Sequence, residues 1–158
     1  MPREYIPIAK QQAVIERARG LCEYCRSRLD HTTEHFAIEH IIPLSREGSS
    51  ELDNLASSCS GCNGHKHAKT AAPDPADSQL AFVYHPRQQC WEDHFRWSED
   101  YAQIIGLTPT GRATVAALKM NRVGLVNMRR ALYAVGKHPP QTEPLDSVDD
   151  PAKPSTSE

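Results

Sequence analysis

The chain has 158 residues, 39% hydrophobic and 6% aromatic, which suits one domain of ordinary size with appendages and excludes two full ones. Its formal charge of −2 is unevenly placed: residues 142–158 hold five acids and one Lys, leaving 17 Lys and Arg against 15 Asp and Glu, a balance too mild to argue for nucleic acid by itself. No segment approaches the ~18 apolar residues that cross a bilayer, and Met1-Pro2-Arg3-Glu4-Tyr5 lacks a secretory apolar run, so a soluble cytoplasmic protein without a membrane partner is expected.

In chain order, residues 10–19 lack Gly and Pro and predict a helix with Val14 and Ala18 on one face, Leu21 continuing it and Gly20 as the stop. Cys22-Glu-Tyr-Cys25 follows. Residues 36–42 are rich in β-branched side chains, end at Pro43 and predict a strand. Residues 44–53, with Gly48-Ser49-Ser50, read as a loop, and Asn54-Leu55-Ala56 as a short returning strand. Cys59-Ser-Gly-Cys62 comes next, with helical potential from Cys62 to Lys69. Residues 71–78, with Pro73 and Pro75, read as an exposed connection. Thr110 to Val135 predicts a helical stretch interrupted by Gly124, capped by Thr110 and anchored by Val115, Leu118, Val123, Val126 and Leu132. Residues 139–158 lack apolar weight and predict a disordered acidic tail.

The two Cys-x2-Cys pairs decide the architecture. Each lets two thiolates from one tight turn reach the same ion, and together Cys22, Cys25, Cys59 and Cys62 supply the closed tetrahedral shell of a structural zinc site. Four protein ligands leave no open position, so chemistry must come from residues inside the loop that the metal closes. A reducing compartment keeps cysteines as thiols and favours metal over disulfides. Cys90 is the unpaired fifth and is expected to be partly buried. A modest hydrophobic fraction also calls for such a staple.

Inside the loop, Glu39-His40 at a strand end, Asn54, and Asn63 after the last cysteine offer imidazole, carboxylate and amide. Those groups suit metal-assisted phosphodiester hydrolysis, which needs a base for water, a cation to neutralise the phosphorane, and something to orient the base. Cys-x2-Cys, Glu39-His40-Ile41-Ile42-Pro43, Asn54-Leu55 and Cys59-x2-Cys62-Asn63-x2-Lys66 together resemble an HNH endonuclease over residues 22–66.

The resemblance implies an α+β fold: a ββα-metal finger propped by the four-cysteine zinc, flanked by an N-terminal helix (residues 1–70 together) and by a C-terminal helical extension packed on it (71–138). It implies a metal-dependent endonuclease acting on nucleic acid, foremost DNA, and leaving 5′-phosphate and 3′-hydroxyl ends. His40 would be the general base, Glu39 and Asn63 the ligands of a catalytic cation, and Asn54 a support that hydrogen-bonds across the hairpin loop. Asn63 stands where the family's final histidine falls, and an amide there favours Mg2+ or Mn2+ over softer ions. Lys66 and His67 would meet phosphate, His67 from the helical face of Asn63.

The C-terminal third, through His85-Pro86-Arg87, Trp91-x2-His94-Phe95-x-Trp97 and residues 106–114, resembles a subset of small bacterial HNH proteins. Arg87, Arg96, Arg112, Arg122, Arg129 and Arg130 are candidates for a phosphate-tracking face, Arg87 and Arg112 foremost. Trp91 and Trp97 read as core rather than base-stacking residues. Two other readings use the same residues: a nonenzymatic zinc-knuckle module binding nucleic acid or protein with a degenerate His-Asn site, and a redox-switched zinc protein.

Overall fold

The structure, a computed structural model, describes residues 4–141. The predicted acidic tail therefore lies, from residue 142 on, outside the described residues. The fold is mixed α and β: five helices and three two-stranded antiparallel sheets among the described residues. No helix among them is long and apolar enough to cross a membrane.

Helix α1 (Ile8–Arg17) buries Val14, with Ala18 and Leu21 following it into the interior. Gly20, at φ +68°, makes the turn that ends this segment and leads into the first knuckle. Strands β1 (Phe36–His40) and β2 (Leu55–Cys59) form a hairpin in the register Phe36↔Cys59 to His40↔Leu55. Helix α2 (Ser60–Lys66) leaves β2 directly, so hairpin and helix make a ββα unit. Every residue of β2 is buried, including Ser57 and Ser58. Its outer edge is satisfied by Glu23, from within the first cysteine pair. The Glu23 backbone N–H donates to Ser57 O at 2.9 Å, and its carboxylate accepts from Ser57 N at 2.8 Å.

Beyond the finger the structure departs from the sequence reading. Residues 71–78 are exposed only in part: β3 (Ala71–Pro73) pairs with β4 (Leu80–Phe82), and Ala72 and Asp74 are buried while Pro75 to Ser78 form an exposed turn. The Asp74 carboxylate turns inward because Arg112 meets it through two hydrogen bonds of 3.0 and 2.8 Å. A one-turn helix α3 (Trp91–His94) leads into β5 (Phe95–Trp97), which pairs with β6 (Ile104–Gly106). The long helical stretch is two helices, α4 (Pro109–Ala117) and α5 (Val123–Ala134), broken before Gly124. Thr108, not Thr110, caps α4, its hydroxyl accepting from Gly111 N at 3.0 Å. Val123 is 76% exposed and anchors nothing, whereas Leu118 is fully buried.

One hydrophobic cluster joins the four cysteines and Tyr24 of the finger to Val83, Tyr84, Trp91, Phe95, Ile104 and Leu118 of the C-terminal half. Trp91 is buried in it and donates its indole N–H to Tyr24 O at 2.9 Å. Trp97 packs partly buried against the same cluster. A smaller cluster of Ile6, Val14 and Leu55 fixes α1 behind the hairpin. Cys90, expected to be partly buried, is exposed.

Candidate active site and metal centre

The four cysteines converge as their spacing requires. Cys22, Cys25, Cys59 and Cys62 are at most 1% exposed, and their sulfurs all lie within 4.8 Å of one another. The Cys25–Cys59 separation of 3.7 Å matches the roughly 3.8 Å edge of a tetrahedron with Zn–S bonds near 2.3 Å. The donor set fits structural zinc. Without metal the four thiols share protons: hydrogen bonding, first with Cys22, lowers Cys59 to about 6, while burial raises Cys22 and hydrogen bonding, first with Cys22, raises Cys62. The Cys62 amide donates to Cys59 Sγ at 3.4 Å.

Two arginines expected on a phosphate-tracking face turn inward here instead. Arg122 lies 3.3 Å from Cys59 Sγ and 3.6 Å from Cys62 Sγ, and pairs with Glu34 at 3.4 Å. Its guanidinium passes so close to Gly61 that a Cβ there would collide with it. Arg129 is buried and donates to the carbonyls of Met120, Ala102 and Cys25. A four-thiolate zinc centre carries a double negative charge, and buried charge needs compensation. The C-terminal half supplies it.

On the other side of the finger, Glu39, His40, Asn63 and His67 line one open groove of ≈ 630 Å3, floored by Ile38 and rimmed by Pro43 and Leu44. His40 ends β1, half-buried, with Nε2 2.9 Å from Ser50 Oγ. Burial lowers its pKa below the ordinary imidazole value, partly offset by Glu4. Asn54 is buried at the end of a short 3-10 turn, with every side-chain group used. Its Oδ1 accepts from Ile42 N at 2.9 Å, and its Nδ2 donates to Ile42 O at 3.0 Å and Ser49 O at 2.7 Å. These bonds lace together the loop that follows His40. Arg17 of α1 holds the turn from behind, donating to Leu52 O and Leu55 O.

Gly48 completes the loop, because any Cβ there would overlap Ile42 O. Neither Ser50 nor Gly48 stood out in the sequence as more than loop formers. His67 does not share a helical face with Asn63: it is the C-cap of α2, at φ +50°, its N–H donating to Asn63 O at 2.9 Å. The turn still leaves both residues on the groove.

Lys66 is not the surface cation expected: it is 1% exposed, with Nζ 2.5 Å from Glu39 Oε1 and 2.9 Å from Ile41 O. Glu39 is itself 5% exposed, and desolvation raises its pKa against the opposing pull of Lys66. Besides Lys66, the buried Tyr24 hydroxyl approaches the carboxylate and also steadies its charged form. Arg87 and Arg112 are held in ion pairs with Glu23 and Asp74, and neither lines the groove.

A ββα unit with a four-thiolate clamp on one side and a histidine groove on the other defines a class. Residues 22–69 match the family model described as HNH endonuclease, and the chain carries an HNH domain over that span. The chain is also similar to the Septu protein PtuB of Bacillus thuringiensis, 26% identical over 113 residues that make up 70% of this chain and 40% of that protein. The chain thus spans less than half the length of that curated relative. No solved structure matches.

Proposed function

We propose that the HNH domain is a working metal-dependent endonuclease that hydrolyses phosphodiester bonds of DNA, with His40 as general base. The observation that carries this reading is the shared groove, which gathers a half-exposed histidine, a helix-borne Asn63 and the carboxylate-bearing Glu39 along one lining. Burial keeps His40 neutral at pH 7, the form a base needs. With Ser50 accepting from Nε2–H, Nδ1 presents the lone pair that takes a proton from the attacking water. Asn54 is a positioning residue, holding the loop against which His40 rests. His67 reaches the groove from the far side, where a phosphate oxygen would lie.

Glu39 and Asn63 would hold Mg2+ or Mn2+, hard ions suited to oxygen donors. Such a cation, when bound, neutralises charge that builds on the phosphate and the leaving oxygen. Lys66 serves a different end here: its ammonium keeps the buried Glu39 carboxylate ionised and aimed between β1 and α2. Supercoiled plasmid incubated with the zinc-loaded chain tests the proposal. Nicking or linearisation that requires added Mg2+ or Mn2+ is expected. Zinc-replete, folded protein that cuts neither plasmid nor single strands with either ion would instead leave a binding module.

A further inference from the structure

The groove at His40 continues past His67. A second hollow shares His67 and Ala68 with it and runs between Arg46 and Lys69 toward Leu80. A third, of ≈ 530 Å3, shares Arg46, Lys69 and Thr70 with the second and ends against Phe82, Tyr84 and His85. No acid lines the second or third hollow, although the chain's net charge is −2. The cations come from structure that the active site already requires. Arg46 ends the short turn just after the His40 loop, and Lys69 follows the cap of α2.

The far wall is apolar and unusually bare. On β4, Ala81 packs inward while Leu80 and Phe82 point out, 75% and 77% exposed. Ile42, 37% exposed, faces the same hollow from the His40 loop. An exposed aromatic ring behind a cationic rim is the chemistry of single-strand binding, in which phosphates follow the cations and an unstacked base covers the ring. A base inside a duplex offers only its edge and could not lie on Phe82.

We infer that this track is a subsite for unpaired DNA flanking the scissile phosphate: Arg46 and Lys69 hold the backbone and Phe82 stacks on a base. The inference rests on the endonuclease reading, since it takes the scissile phosphate to lie at His40. It directs the enzyme toward single strands, flaps, frayed ends and the locally melted segments of supercoiled DNA rather than relaxed duplex.

The test uses the full zinc-loaded chain carrying His40→Ala to prevent cutting, with fluorescein-labelled oligo-dT and a blunt duplex as probes, read by anisotropy across salt concentrations. Oligo-dT is expected to bind more tightly than duplex, and Phe82→Ala to weaken oligo-dT about tenfold while leaving duplex within about twofold. Arg46→Ala and Lys69→Ala should each lower the salt slope by roughly 0.7. All three side chains are surface groups, and zinc content with circular dichroism confirms each variant's fold. Duplex binding as tight as oligo-dT, or Phe82→Ala without effect, overturns the subsite, as does a wild-type surface that binds no DNA. His40-dependent cutting with Phe82-independent binding removes the subsite and leaves the nuclease. Phe82-dependent binding without cutting by the unsubstituted chain removes the nuclease and leaves a single-strand binding site.

Discussion

The cysteine cluster and the His40 groove sit on the two sides of one small finger and are built on opposite rules. Around the cysteines the site is closed and dry: four sulfurs at most 1% exposed, with amide and arginine donors supplied by neighbouring segments. Around His40 the site is open, with a half-buried imidazole and Asn63 lining a groove. Helix α2 serves both, since Cys62 points to the cluster while Asn63, the next residue, lines the groove. The difference predicts that His40 can be replaced without loss of zinc or fold, whereas a cysteine cannot.

The largest effect should come from the closed side. Cys59→Ser, or zinc removal by a chelator, is expected to unfold the finger, because metal binding at such a site is folding free energy; circular dichroism with zinc quantitation checks this. A folded, zinc-free finger would erase the distinction between the two sites. Next comes the pair beneath the groove. Lys66→Met strands a buried Glu39 carboxylate and is expected to destabilise the protein by roughly 3–5 kcal/mol in urea titration, with Glu39→Gln restoring much of the loss in the double variant.

A smaller effect tests the arginine supplied from the C-terminal half. Arg122→Ala should leave the fold intact and weaken zinc retention about 10-fold in competition with a chromogenic chelator. Retention equal to wild type would show the arginine to be a bystander.

The smallest involves a pair that belongs to neither site. Arg112, through its hydrogen bonds, holds Asp74 below the ordinary carboxyl range. That contribution is present above the unfolded carboxyl value near ~3.9 and is lost as pH falls through the lower folded one. Arg112→Ala should therefore move acid unfolding to higher pH, and an unchanged midpoint would count against the pair.

The finger was legible because its signals are local in sequence. Metal-ligand spacing fixes the two knuckles, β-branched residues before Pro43 mark β1, and Asn54 to Cys59 must return along it to bring the cysteines together. Within the site, what could not be read is what depends on contact across the fold. Lys66 looks like a surface cation until α2 is laid on β1 and its ammonium meets Glu39. Arg122 and Arg129 carry no sequence sign that they face thiolates and carbonyls rather than solvent. Strands β3 to β6 have three residues each, too short for alternation to register, and β3 ends on a proline. Their pairing follows from packing against α4 and the aromatic cluster, which no local pattern encodes.

The most direct test compares His40→Ala with the unsubstituted chain for cleavage of plasmid and single-stranded DNA, with Mg2+ or Mn2+ added or omitted and zinc measured in both proteins. The account predicts that His40→Ala keeps its zinc and fold and loses about 10²- to 10⁴-fold in rate. It also predicts that wild-type activity falls only as pH drops below about 6.5, since burial lowers the imidazole's pKa and the neutral form is the active one. Cleavage by His40→Ala at the wild-type rate, with the same ion requirement, would contradict it.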